Sequence, residues 1–168
     1  MGRWKPPPPA SSPYITPAGF EALQAELKEL WVRRADVVKA LAAAAAEGDR
    51  SENAEYIYRK KELGGLDYRI RYLQKRLPNL KIVPPISKDD ERHGQVFFGA
   101  WVTLQRDQGR GDVEYRIVGP DEADAANDCI SIDSPLARAI LKKAVGGEAD
   151  LKLEQGREQF IIKNIRYD

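Results

Sequence analysis

The 168-residue chain is 42% apolar and 32% charged, with a mean hydropathy of −0.54. That composition can bury a core and excludes disorder throughout. No run approaches the roughly 20 apolar residues of a bilayer-crossing helix, Met1–Pro9 lacks the apolar stretch of a secretory signal, and the single Cys129 and single His93 exclude a disulfide framework, a cysteine zinc cluster and a multi-histidine metal site.

The formal net charge of +1 argues, taken whole, against free binding to nucleic acid. By segment it divides. Residues 48–55 carry −2, residues 56–81 carry +6, with eight bases against Glu62 and Asp67, and residues 82–168 carry −4. Such asymmetry points to a partner more than to a fold.

In chain order, Pro6–Pro9 and Pro13 with Ser11 and Ser12 mark residues 1–13 as a proline-rich, disordered arm. Thr16-Pro17 reads as a helix N-cap followed by proline in the first helical position. From there Phe20, Leu23, Leu27, Leu30, Arg34, Val37, Leu41 and Ala44 alternate in steps of 3 and 4, a heptad seam broken only at Arg34. Gly48 is a natural stop. A second seam runs through Tyr56, Arg59, Leu63, Leu66, Ile70, Leu73, Leu77 and Leu80, with Pro78 loosening its last turn. Two heptad helices with a short connection pack antiparallel. Residues 14–83 are therefore expected to form a coiled-coil hairpin that projects into solvent, with a first arm about 40 Å long at 1.5 Å per residue. Gly64 and Gly65 fall off the seam at a cost of about 1 kcal/mol each relative to alanine.

Residues 84–93 collect Pro, Ser and charges and read as a linker, with His93 at its end. Beyond it the period changes to that of strands. Strand candidates are 94–105, 113–118, 129–132, 151–153 and 160–166, and Ser134-Pro135 opens a short helix over 136–143. Residues 94–168 are expected to form a compact antiparallel sheet domain with one short helix, so the fold class is α+β. Cys129 is expected in a buried strand.

The connection between the helices, Gly48 to Tyr56, places Asp49 and Glu52 three residues apart. One reading is structural: Asp49 caps the second helix and Glu52 completes a capping box. The other is chemical: carboxylates at the end of a rigid rod can hold part of a metal shell. Mg²⁺ takes only one or two carboxylates and fills its octahedron with phosphates and waters, so two exposed acids bind it weakly unless another macromolecule supplies the rest. Arg59, Lys60 and Lys61 follow one turn later. They suit either a solvated helix face or phosphate contact. Tyr56 and Tyr58 could stack on a base or pack on the first helix.

From about Tyr14 to Asp168 the sequence resembles the bacterial Gre transcript cleavage factors, of the GreB type. The resemblance rests on GDRSENAEY (48–56), NLKIV (79–83), VFFGAWV (96–102), YRIVG (115–119) and ISIDSPLARAILKKAVG (130–146). It implies an FK506-binding-protein-like C-terminal domain and a cytoplasmic monomer that docks at the secondary channel of bacterial RNA polymerase. Asp49 and Glu52 would help hold Mg²⁺ jointly with the polymerase and orient a water, so that the polymerase cuts backtracked nascent RNA near its 3′ end; the factor is not itself an enzyme. Arg59, Lys60 and Lys61 would face RNA, and Asp133, Ser134 and Pro135 would contact the polymerase rim. A non-cleaving channel-binding regulator and a prolyl isomerase are the rival readings. The intact DRSE tip disfavours the first, and fold alone does not carry the second.

Overall fold

The structure, a computed structural model, describes residues 10–48 and 52–168. The described chain divides into two compact units: residues 18–80, and the residues up to Pro17 together with Lys81–Asp168.

The helical unit is the expected hairpin. Helix α1 spans Pro17–Ala46 and α2 spans Ala54–Arg76. Every seam position named above is buried or half-buried, with Leu23, Val37, Ala44, Ile70 and Leu73 most deeply so. The polar break at Arg34 is satisfied by Asp67 at 2.6 Å. Arg33–Glu62 and Arg69–Glu26 add further cross-ties, with partner numbers rising along one helix as they fall along the other, as antiparallel packing requires. Gly48 adopts a φ of 138°, a conformation side chains rarely take, and ends the first arm. A 3₁₀ turn over Leu77–Asn79 contains Pro78, so α2 stops where the missing N–H begins to matter. Gly64 and Gly65 lie exposed on the outer face, and a Cβ on either would touch nothing.

The second unit begins with two short strands, β1 Tyr14–Ile15 and β2 Lys81–Ile82, followed by β3 Trp101–Arg106, β4 Asp112–Val118, β5 Cys129–Ser131, β6 Glu148–Leu153 and β7 Gly156–Arg166. The last five form one sheet in the order β5-β4-β3-β7-β6. Helix α3, Pro135–Ile140, packs on its inner face. The alternation of β3 sends Val102 and Leu104 inward, where they meet Ile117, Ala137, Ile140, Phe160 and Ile162. The pairs are antiparallel except β4–β5, which is parallel. The connection over residues 119–128 carries the chain back to start β5 beside β4, and a strand's own residues do not encode that direction. Of the predicted strand 94–105 only the second half is extended. Val96 and Ala100 enter the core from a turn-rich segment. Cys129 is half-buried in β5, and burial pushes its thiol up.

The expected hairpin, 14–83, is shorter at both ends. Residues 1–9 lie outside the described residues. Beyond them, β1 (Tyr14–Ile15) pairs in parallel with β2 (Lys81–Ile82), so both ends of the segment read as hairpin belong to the sheet unit, as do the end of the arm and the linker that flank them. Lys81 N donates to Pro13 O at 2.7 Å and Val83 N to Ile15 O at 2.9 Å. Thr16, nearly fully buried, donates from N (3.0 Å) and Oγ1 to the Glu122 carboxylate, which also accepts from Gly119 N at 2.9 Å. Gly119 is required here: a Cβ would lie 1.9 Å from Tyr14 O. His93 sits in a 3₁₀ turn (Glu91–Gly94) with its ring 5.3 Å from that of Tyr167. The Tyr167 hydroxyl accepts from Phe97 N at 2.9 Å and donates to Gln95 O, closing the C-terminal segment onto the turn before β3.

Candidate functional site

The hairpin tip is built by Asn53. It occupies the N-cap of α2 with an extended backbone, and its Oδ1 accepts from Tyr56 N at 3.1 Å. Its Nδ2 donates to Ala44 O at 2.7 Å, so the same side chain satisfies one of the last carbonyls of α1. One residue caps both helices and closes the turn.

That assignment changes the status of Glu52. The structural one of the two sequence readings placed Asp49 at the cap and Glu52 at the third helical position. Instead Glu52 precedes the cap, outside α2, and is exposed. Asp49 lies outside the described residues. Asparagine is among the strongest N-cap residues, and Asn53 followed by the seam residue Tyr56 was a signal available in the sequence. Among the described residues no group of three or more His, Cys, Asp or Glu is placed to hold a metal ion.

The basic stretch after the tip divides by face. Arg59 occupies a seam position and is half-buried. It donates from Nε to Glu55 at 2.7 Å and from Nη1 to Glu62 at 3.0 Å. Hydrogen bonding to Glu55, then to Glu62, raises its pKa further. Arg33 reaches the same Glu62 from α1 and holds that carboxyl below its ordinary range. Arg59 is thus part of a bridge between the helices. The spacings Glu55–Arg59 (i, i+4) and Arg59–Glu62 (i, i+3) carry this in the sequence. Lys60 and Lys61 are exposed. Tyr56 turns into the seam, whereas Tyr58 is 59% exposed and lies beneath the Arg59 guanidinium, 5.5 Å from ring centroid to Cζ.

The second group lies where β5 passes into α3. Ser134 is the N-cap of α3: its Oγ accepts from Ala137 N at 3.3 Å, and Pro135 opens the helix. Pro135 is exposed; Asp133 and Ser134 are half-buried. The Asp133 carboxylate accepts from Ser12 N at 2.8 Å and from Ser12 Oγ. Beside it opens a mainly apolar hollow of about 620 Å³, whose walls include Tyr14, Phe97, Phe98, Ile132, Leu141 and the Val83–Ser87 segment. Ile132, which lines the hollow, directly precedes Asp133 in the chain. No local pattern signals the Ser12 contact, because its partners are 121 positions apart.

The chain matches two family descriptions: "Transcription elongation factor, N-terminal" over residues 13–82 and "Transcription elongation factor, GreA/GreB, C-term" over residues 91–167. It is 56% identical over 169 residues to transcription elongation factor GreB of Xanthomonas axonopodis pv. citri (strain 306), covering 99% of this chain and 98% of that one. Against GreB of Pseudomonas aeruginosa it is 51% identical over 168 residues, with 99% and 98% covered. Among solved structures, GreA factor homolog 1 (Gfh1) of Thermus thermophilus matches at 25% identity and a TM-score of 0.40, over 91% of this chain and 97% of that one.

Proposed function

The chain belongs to the GreA/GreB family of transcription elongation factors, and from that premise we propose that it binds bacterial RNA polymerase at the secondary channel and stimulates cleavage of backtracked nascent RNA near its 3′ end. The observation that carries the reading is at the tip. Glu52 is exposed and has no capping duty, because Asn53 holds both helix ends. An acid next to a helix start is ordinarily explained by capping; here that explanation is used up by its neighbour.

The donor chemistry fits Mg²⁺. Asp49 and Glu52 offer hard carboxylate oxygens, and two of them leave the rest of an octahedral shell to polymerase, RNA phosphate and water. Bound there, Mg²⁺ supplies the charge that two-metal phosphodiester hydrolysis needs at its attacking or leaving oxygen. The chain's own residues then have distinct tasks. Asn53 fixes the turn that carries Glu52. Arg33, Glu62, Arg59 and Glu55 lock the two helices just behind the tip. Lys60 and Lys61, exposed on the next turn, are free to approach an RNA backbone; Arg59 serves them by holding the helix. Asp133, Ser134, Pro135 and the adjoining hollow form the docking surface. The chain acts as a monomeric, non-enzymatic activator in the cytoplasm.

The test is a defined backtracked elongation complex with Mg²⁺. Added protein is expected to release short 3′ fragments. Asp49→Ala with Glu52→Ala is expected to abolish release while polymerase binding persists. A double variant that still stimulates cleavage overturns the tip assignment; a wild-type protein that binds polymerase without cleavage identifies a non-cleaving regulator.

A further inference from the structure

We propose that the outer face of α2 binds single-stranded RNA, with Tyr68 as a base-stacking platform and the Gly64-Gly65 pair as the gap through which the strand approaches the helix. The inference rests on the reading that Lys60 and Lys61 face RNA, and it extends the contact from phosphate to base. Tyr58, Lys61, Gly65, Tyr68 and Lys75 each follow a seam position by two residues, about 200° of helix rotation. They therefore share the face turned away from the seam, and all are exposed. Tyr68, at 71%, is the most exposed large apolar side chain among the described residues, and Tyr58, nearer the tip, already lies beneath Arg59.

The helix itself does not call for these residues. Glycine is among the weakest helix formers, and a Cβ on Gly64 or Gly65 would meet no atom within 4 Å, so no packing inside the chain requires a small residue there. Lys61 lies one turn before both glycines and Tyr68 one turn after both. The pair is thus a bare stretch of backbone between a cation and an aromatic ring. Charge selects the occupant. Lys60, Lys61, Arg71 and Lys75 are exposed and, among the described residues, enter no ion pair, whereas Glu55, Glu62 and Asp67, the acids of α2, are each tied to an arginine. A packed protein helix would want apolar flanks around such a gap. Cations that track a backbone, interleaved with rings on which bases stack, are the means by which proteins hold single strands without sequence preference. Tyr68 lies about 22 Å along the helix from Asn53 at 1.5 Å per residue. A strand must therefore pass well beyond the tip to reach it.

The experiment uses the full chain with two bacterial RNA polymerase complexes. One is backtracked only far enough to bring RNA to the tip, the other far enough to carry the 3′ end past Tyr68. The factor concentration giving half-maximal cleavage is read in both. Tyr68→Ala is expected to raise it about tenfold in the second complex, the scale of one lost base stack, and to leave the first unchanged. Tyr68→Phe keeps the ring and should match wild type in both. Gly65→Leu fills the gap with a good helix former, and should show the same selective loss with a thermal midpoint at or above wild type. A thiouridine at the displaced 3′ end of the second complex should photocrosslink to the peptide that contains Tyr68. Equal losses in the two complexes would mean that the polymerase itself packs on this face, and would overturn the proposal. So would wild-type behaviour of Tyr68→Ala, a loss in Tyr68→Phe, or a crosslink confined to other peptides; in each of these the cleavage reading survives. A wild-type protein that cleaves neither complex removes that reading and this proposal together.

Discussion

Replacing Asn53 with alanine is expected to open the hairpin tip without unfolding the helices behind it. The side chain makes two bonds, accepting from Tyr56 N at 3.1 Å and donating to Ala44 O at 2.7 Å. Loss of an N-cap costs about 1 kcal/mol, and loss of a neutral hydrogen bond about another 1 kcal/mol. Water reaches both freed groups at the tip, so the net is expected at about 1–2 kcal/mol. Amide hydrogen exchange at Tyr56 reads this directly. A local opening easier by about 1.4 kcal/mol accelerates exchange about tenfold, whereas amides near Leu73 should not change. Asn53→Asp separates the two bonds, because it keeps an acceptor for Tyr56 N and loses the donor to Ala44 O; its acceleration should be about half in free-energy terms. Unchanged Tyr56 protection in Asn53→Ala would refute the double-cap reading, and with it the reason for treating Glu52 as unneeded for structure.

Three further outcomes follow from single contacts. Gly64→Ala and Gly65→Ala should each stabilise the hairpin by about 0.8–1 kcal/mol, since helix propensity improves and the new methyl meets no atom; a lower denaturation midpoint in either refutes the packing described for that face. Tyr167→Phe removes the acceptor for Phe97 N and the donor to Gln95 O, and should cost about 1–2 kcal/mol in chemical denaturation. The Asp90 carboxyl is held down to about 2 by the Arg92 guanidinium and backbone N–H. A depressed carboxyl contributes stability above its unfolded value near 3.8 and loses it as pH falls toward 2. Asp90→Asn should therefore flatten the acid limb in that window, and a carboxyl titrating near 4 in the folded protein would contradict the Arg92 contact.

The hairpin was legible because its information is periodic. A 3-4 spacing specifies which side chains face the partner helix, and all sixteen seam positions, Arg34 and Arg59 included, are buried or half-buried. The sheet domain was legible in its strands and in the Ser134-Pro135 start of α3, each a local signal. What escaped was non-local. The parallel direction of β5 depends on a ten-residue connection, and the pairing of β1 with β2 joins residues 67 positions apart. The Thr16–Glu122 and Ser12–Asp133 contacts span more than 100 positions, and no period or propensity encodes them. The cap at the tip was assigned differently for another reason. Asp49 and Asn53 are both strong N-cap residues, and residue type alone does not choose between two acceptable caps four positions apart.

That choice decides how the charges should be read. With Asp49 as the cap and Glu52 in a capping box, both acids would be explained by the helix start and nothing more would be needed. With Asn53 as the cap, a neutral residue makes the capping bonds, and Glu52 stands next to the helix start without making one. Behind the tip the opposite holds for Arg59, whose positive charge is matched by Glu55 and Glu62. The net +6 of residues 56–81 therefore overstates the cation available to a partner near the tip, which falls chiefly to Lys60 and Lys61. Local pairing, more than the count of charges, separates the residues that hold the rod from those that can act at its end.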